Sequence, residues 1–257
     1  MEWESRSHLF GASLRSVLFK GLPDAVNEYL HNWQKGIILK YIEGRNGMRI
    51  LDVGCGYGRL SIPIIEKFPD VDIRGVDISE NYVRLYQENT GHLASIGAIE
   101  NLPAELGTFD YIICVTVLMY LDYENLGKVV FDLIIHLKPG GRLILIEPHC
   151  SGRWFQTGFG MFPFLMKRIR QNTIHTGGRS FRVNEIECCV SHAGGKILSE
   201  NRLPVTSLFF LPMTLCAIML PRGIFRGISK LASRLDVLLG MFKLPSIYVA
   251  CAITKNE

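Results

Sequence analysis

Apolar and polar positions along this chain fall into blocks whose period switches between that of strands and that of helices. Short apolar runs stand at 50–53, 71–76, 94–97, 111–115, 142–147, 196–201 and 246–254, each of strand length. Between them the spacing becomes helical. Leu22 to Glu43 carries Tyr29, Trp33, Ile37, Ile38 and Tyr41, a pattern that predicts one long or two short amphipathic helices. Leu60 to Phe68 predicts a second helix, with Pro63 tolerable only in its first turn. Ser79 reads as the N-cap of a third, and Leu126, Val129, Val130, Leu133 and Leu137 mark one buried face of a fourth. Asn184 and Glu187 have the spacing of a capping box for a helix that stops at Ala193-Gly194-Gly195.

Strands alternating with helices through five units imply an α/β fold, a mostly parallel sheet of seven strands with helices on both faces. More than forty residues separate the last two strands, so a helical insert is expected there. Residues 1–47 then read as leading helices, 48–149 as a cofactor-binding core, and 150–183 with 203–245 as a cap within one domain. Ligands of such sheets bind beyond the carboxyl ends of the strands. Asp52, Asp77, Glu100, Thr116 and the stretch Glu147 to His149 all follow or close predicted strands, so they converge on that end.

The chemistry centres on Ile50 to Leu60, ILDVGCGYGRL, where a strand runs into a turn with glycines at 54, 56 and 58. Glycines there permit positive φ and let a ligand approach the main-chain N–H groups. A dinucleotide fingerprint is spaced GxGxxG. Here the spacing is GxGxG with an acid two residues before it, which disfavours a nicotinamide-dependent oxidoreductase. Asp77, closing the second strand, is a carboxylate able to accept both hydrogen bonds of a ribose diol.

These residues resemble motif I, DxGxGxG, of the class I S-adenosylmethionine-dependent methyltransferases. GVDIS at 75–79 and LKPGG at 137–141, leading into an apolar strand, are similar to further segments of that family. The resemblance covers Met48 to about Pro148, and Asn184 to Asn201 weakly. It implies a Rossmann-like fold and S-adenosyl-L-methionine as cofactor. The turn Gly54, Cys55, Gly56 and Gly58 would pass under the aminoacyl group, Asp52 would hold its ammonium, Asp77 the ribose, and Ile78 the adenine face. Where many members have an acid that receives the adenine amine, this chain has Ala98, leaving Ile99 and Glu100 for that role. Val115, Thr116 and Tyr120 would stand beside the transferred methyl. His149 is the candidate general base, with His175 and Tyr120 behind it. Methyl transfer to oxygen, nitrogen or carbon of a small or lipid-like acceptor is the implied activity, and a non-catalytic protein that keeps the cofactor pocket is the alternative.

Composition narrows the setting. With 48% hydrophobic and 20% charged residues in 257, the chain can bury a full core and is not disordered. The first ten residues, MEWESRSHLF, have acids early and no apolar h-region, so a secretory signal is not expected and a cytoplasmic protein is. Seven scattered cysteines without CxxC pairs read as reduced core thiols, with no metal site.

The net charge of +4 hides an asymmetry. Residues 1–149 carry 14 basic and 19 acidic side chains, a net of −5, whereas 150–257 carry 14 and 5, a net of +9. That split points to an anionic substrate or surface near the C-terminal part. Val205 to Leu220 lacks charge but is broken by Pro212 and too short to span a bilayer. Arg222 to Leu244 sets apolar residues at helical spacing among Arg222, Arg226, Lys230, Arg234 and Lys243. Such an insert, 205–244, suits either peripheral contact with a membrane or a lid over the cleft. Its cations alternate with apolar residues instead of forming a stacking platform, so nucleic acid is not expected.

Overall fold

The computed structural model describes residues 2–20, 23–103, 106–149, 178–203, 217, 219–239 and 246–256. Expectations for His175, for most of the cap segment 150–183, for most of 205–220 and for the helix beyond 239 lie outside the described residues. Three helices lead in: α1 (Glu2–Phe10), α2 (Leu14–Val17) and α3 (Asp24–Tyr41). The alternating core follows as β1 (Arg49–Val53), α4 (Ser61–Lys67), β2 (Asp72–Asp77), α5 (Glu80–Thr90), β3 (Ala94–Ile96), β4 (Phe109–Val115), α6 (Tyr123–Ile135) and β5 (Leu137–Pro148). It closes with α7 (Val183–His192), β6 (Gly195–Leu203), α8 (Arg222–Leu239) and β7 (Tyr248–Lys255).

All seven strands join one sheet in the order β3-β2-β1-β4-β5-β7-β6. The pairs among β1 to β5 are parallel, and only β7 runs antiparallel, against β5 on one side and β6 on the other. This is the Rossmann-like, mostly parallel sheet expected, with strand order reversing between β1 and β4. Strands buried on both faces need apolar residues at every position, which is why β4, FDYIICV, is buried throughout. One apolar layer holds α3 against the sheet through Leu30, Trp33 and Ile38; the opposite layer holds α6 and α7 through Val129, Leu133 and Val190.

Local signals mostly act as read. Ser79 caps α5 by accepting the Tyr82 N–H at 3.2 Å, and Gly91 ends that helix at φ 71°. Pro63 falls in the first turn of α4. Three readings are corrected. LKPGG does not precede the fifth strand but lies inside it: Leu137 pairs with Phe109, so the sheet draws Leu137 out of the helix face and the register shifts at the glycines. The cap of α7 sits two residues earlier than expected, with the Glu185 carboxylate accepting the Arg182 N–H at 2.6 Å. Of the described cysteines, Cys55, Cys114 and Cys251 are buried thiols, but Cys188 is exposed. Helix α1 lies within the leading segment 1–47 read as helical, although it has no apolar periodicity of its own.

Candidate active site

A cavity of about 250 Å³ opens at the carboxyl ends of β1, β2 and β4, against the point where strand order reverses. Of the expected cofactor residues, Asp52, Gly54, Cys55, Gly56, Asp77, Ile78, Ile99, Glu100 and Val115 all line it, as do Ala98, Thr116 and Tyr120. Two expected residues do not. Gly58 is spent on packing: at φ 88°, a Cβ there would come within 2.6 Å of Thr90 on α5. His149 lies outside the wall, buried, its N–H bonded to the Ile247 carbonyl at 2.7 Å and its backbone bridged to Phe181.

The glycine turn is built differently from the phosphate cradle its sequence first suggests. The N–H groups of Gly54 and Cys55 both donate to the Val76 carbonyl, at 2.8 and 3.1 Å. The Gly56 N–H donates to Asp77 Oδ2 at 2.8 Å. Three successive donors are therefore consumed within the fold and are not offered to a ligand. Gly54 is irreplaceable for two reasons, its φ of 69° and the 2.4 Å that would separate a Cβ from Val117 Cγ2.

Carboxylates dominate the wall. Asp52 is buried and accepts a 2.6 Å bond from Ser61 Oγ. Burial pushes its pKa up to about 6, against the lowering effects of Ser61 and Arg59. Asp77 is buried too and raised for the same reason, although the N–H groups of Ser79, at 3.0 Å, and Gly56 favour its charged form. Glu100 completes the three.

Against them stands one cation that sequence reasoning overlooked. Arg59, directly after the turn, lines the cavity at 8% exposure. Among the described residues no carboxylate lies within ion-pair distance of it, and its guanidinium meets His31 Nδ1 at 3.4 Å. Burial lowers the pKa of both groups, and His31, at about 4, is neutral at pH 7. A charged residue directly after the glycine turn, two positions before α4, is the signal that could have found Arg59.

The rest of the wall comes from two segments. The chain leaving β4 passes through Thr116 at φ 57°, a conformation that β-branched residues rarely adopt. It is held there by Glu147, fully buried at the end of β5, whose carboxylate accepts the N–H groups of Val117, Leu118 and Met119 at 2.8–3.2 Å. Burial outweighs those bonds and pushes Glu147 up to about 8. Helix α1 closes the other side. Trp3 lines the cavity and meets Tyr120 edge-on, with ring centroids 5.3 Å apart. Glu4 accepts a 2.6 Å bond from Ser79 Oγ and Arg6 donates to the Arg15 and Leu18 carbonyls, so the lid is seated on α5 and α2. No sequence signal marks Trp3, because α1 repeats no apolar face.

Among the described residues no cluster suited to a metal ion occurs, and no helix is long and apolar enough to cross a membrane.

Residues 50–141 match the family model of a methyltransferase domain. The chain is 31% identical over 87 residues to the malonyl-[acyl-carrier protein] O-methyltransferase of Geobacter sulfurreducens, a match covering 32% of this chain and 33% of that protein. It is 31% identical over 121 residues to a demethylmenaquinone methyltransferase of Staphylococcus aureus, covering 45% and 48%. The matches thus span a third to about half the length of these curated relatives. In structure it resembles the magnesium protoporphyrin IX methyltransferase of Synechocystis, solved with bound S-adenosylhomocysteine, at a TM-score of 0.56 and 20% identity over 70% of this chain and 81% of that one.

Proposed function

We infer, from the methyltransferase domain that residues 50–141 carry, that this protein transfers a methyl group from S-adenosylmethionine to a small or lipid-like acceptor. The observation that carries the reading is the polarity of the cleft. A wall with Asp52, Asp77 and Glu100, behind a glycine turn whose Gly54, Cys55 and Gly56 N–H groups are already bonded, repels a pyrophosphate and fits a cation with hydroxyls. That disfavours a nicotinamide cofactor on physical grounds independent of glycine spacing.

The residues fit the cofactor part by part. Asp52 and Arg59, opposite charges in one wall, suit the ammonium and carboxylate of an α-amino acid. Each Asp77 oxygen accepts one N–H and has a lone pair left for a ribose hydroxyl. Ile78, Ile99 and Glu100 are the apolar and polar groups available to an adenine where Ala98 replaces an acid. When bound, S-adenosylmethionine supplies an electrophilic methyl group on a sulfonium. Val115, Thr116, Tyr120 and Trp3 then confine the acceptor and exclude water from it. Positioning and desolvation supply the rate; of the candidate bases, His149 lies outside the described wall and Tyr120 stands in it. The relatives' named substrates, an acyl-carrier-protein-bound malonyl group, a demethylmenaquinone and a magnesium porphyrin, agree with an acceptor that is small or lipid-like.

Calorimetry and turnover test this. Micromolar binding of S-adenosylhomocysteine without binding of NAD(H) or NADP(H) is expected, and the reverse result would overturn the reading. Label transferred from methyl-labelled cofactor to a component of a lipid extract or of a soluble metabolite pool is expected next. Cofactor binding with no transfer to either pool would make the protein a binding module instead.

A further inference from the structure

Two opposite charges stand in the cavity wall without meeting. Asp52 and Arg59 are both buried and each favours the charged form of the other, yet among the described residues no carboxylate oxygen comes within ion-pair distance of the guanidinium. In a desolvated site such a pair attracts strongly, and its collapse into a salt bridge would cancel both charges. Each is held by a neighbour instead. Asp52 accepts the Ser61 hydroxyl at 2.6 Å, and Arg59 Nη1 donates to Nδ1 of His31, on α3, at 3.4 Å. A guanidinium only donates, so Nδ1 accepts and the ring proton sits on Nε2. Burial first, then the charges of Arg59 and Lys35, lower the His31 pKa to about 4, so the ring is neutral at pH 7.

We propose that His31 is a positioning residue, whose imidazole holds the Arg59 guanidinium away from Asp52 so that the two charges stand separated for the carboxylate and ammonium of the cofactor's amino acid end. The chemistry of the side chain at position 31 carries the argument. An acid there would neutralise Arg59 and compete with the ligand's carboxylate, and an apolar residue would leave the long Arg59 side chain to be ordered on binding. An uncharged acceptor orients the guanidinium and leaves its charge to the ligand. The other groups that reach Arg59 electrostatically, Tyr57, Asp52 and Tyr248, come from the glycine turn, β1 and β7. Among the described residues none of them hydrogen-bonds to it, so its orientation falls to α3. The inference rests on S-adenosylmethionine as the ligand of this cavity, and neither turnover nor the acceptor enters it.

Calorimetry on the full chain provides the test, with S-adenosylhomocysteine and with 5′-methylthioadenosine, which lacks the amino acid end. Asparagine and aspartate share a shape and place an oxygen where histidine has Nδ1, so they separate charge from packing. His31→Asn should keep S-adenosylhomocysteine affinity within about twofold. His31→Asp should lower it at least about tenfold while the melting temperature holds or rises, because Arg59 is then paired. His31→Leu should lower it about fivefold. None of the three should change 5′-methylthioadenosine affinity, and His31→Leu added to Arg59→Met should have no further effect. Equal losses for both ligands, equal affinities of the Asn and Asp variants, or additive losses in the double variant would each overturn the proposal and make His31 a packing residue. If the Leu variant fails to fold, the comparison of Asn with Asp gives the same reading. Native protein that binds neither nucleoside would overturn the cofactor assignment and this inference with it, whereas native binding that all the variants leave unchanged would overturn the role of His31 alone.

Discussion

The cleft and helix α8 treat charge in opposite ways. Around the cleft, acids are buried and bonded within the fold: Asp52 to Ser61, Asp77 to the turn and to α5, Glu147 to the segment after β4. On α8 the cations Arg222, Arg226 and Lys230 are exposed, on the side of the helix away from Ile224, Ile228, Leu231 and Leu235. An inward-facing, preorganised set of carboxylates suits one small ligand, whereas the cations of α8 keep their charge in solvent. Helix α3 packs on the sheet and on α8.

The comparison breaks first at Asp52. Asp52→Asn keeps an oxygen for the Ser61 hydroxyl but removes the charge, and should weaken S-adenosylhomocysteine binding about 100-fold with little change in circular dichroism. The same carboxylate gives a pH test with a definite sign. Its pKa near 6 means that it is protonated in acid, so affinity measured by calorimetry should rise between pH 5 and 7 in the native protein and stay flat in Asp52→Asn. Next comes Gly54→Ala, which combines positive φ with a 2.4 Å approach to Val117 and should cost about 1–3 kcal/mol of stability in denaturant unfolding.

How much of this was legible in the sequence follows the same division. Strand runs, the Ser79 cap and the acids at strand ends are local patterns, and the sheet order and most of the cavity wall agree with them. What was not legible depends on distant partners. Nothing near Trp3 says that Tyr120 will meet it, and nothing near Gly54 says that its N–H will be taken by Val76. His149 follows a strand as a site residue would, yet it is buried outside the cavity wall, with its backbone bonded to Ile247 and bridged to Phe181. Helical spacing in 222–239 showed an amphipathic helix, but only the packing of α3 decided which of its apolar residues are buried.

Arg59 sharpens the contrast, being the cleft's own buried cation. Arg59→Met fills similar space without charge, and should reduce S-adenosylhomocysteine affinity about tenfold while leaving that of 5′-methylthioadenosine, which lacks the aminoacyl end, unchanged. Because no described carboxylate pairs with Arg59, the same substitution should hold or raise the melting temperature of the free protein. Loss of stability together with unchanged affinity would make Arg59 a structural cation instead.

The smallest expected effect concerns Glu147, which shapes the cleft without touching it. Its pKa is raised from an unfolded value of 4.5 to about 8, so between those limits the folded chain binds more protons than the unfolded one. Stability therefore falls as pH rises through that window, with a slope that cannot exceed about 1.4 kcal/mol per pH unit. Below pH 6.5 the signal is mixed, since His31, lowered to about 4, gains stability with pH while Asp52 loses it. Above pH 6.5 Glu147 dominates. Glu147→Gln leaves an oxygen for the Val117 and Leu118 N–H groups but puts an amide NH2 opposite Met119, a penalty of about 1–3 kcal/mol that does not vary with pH. The level of stability is thus a poor readout and the slope a good one. Urea unfolding at pH 6.5 and 8 should show the native protein losing stability across the interval and Glu147→Gln holding level. Equal slopes would mean that the segment after β4 is held by a carboxylate already ionised, and that its N–H groups outweigh burial.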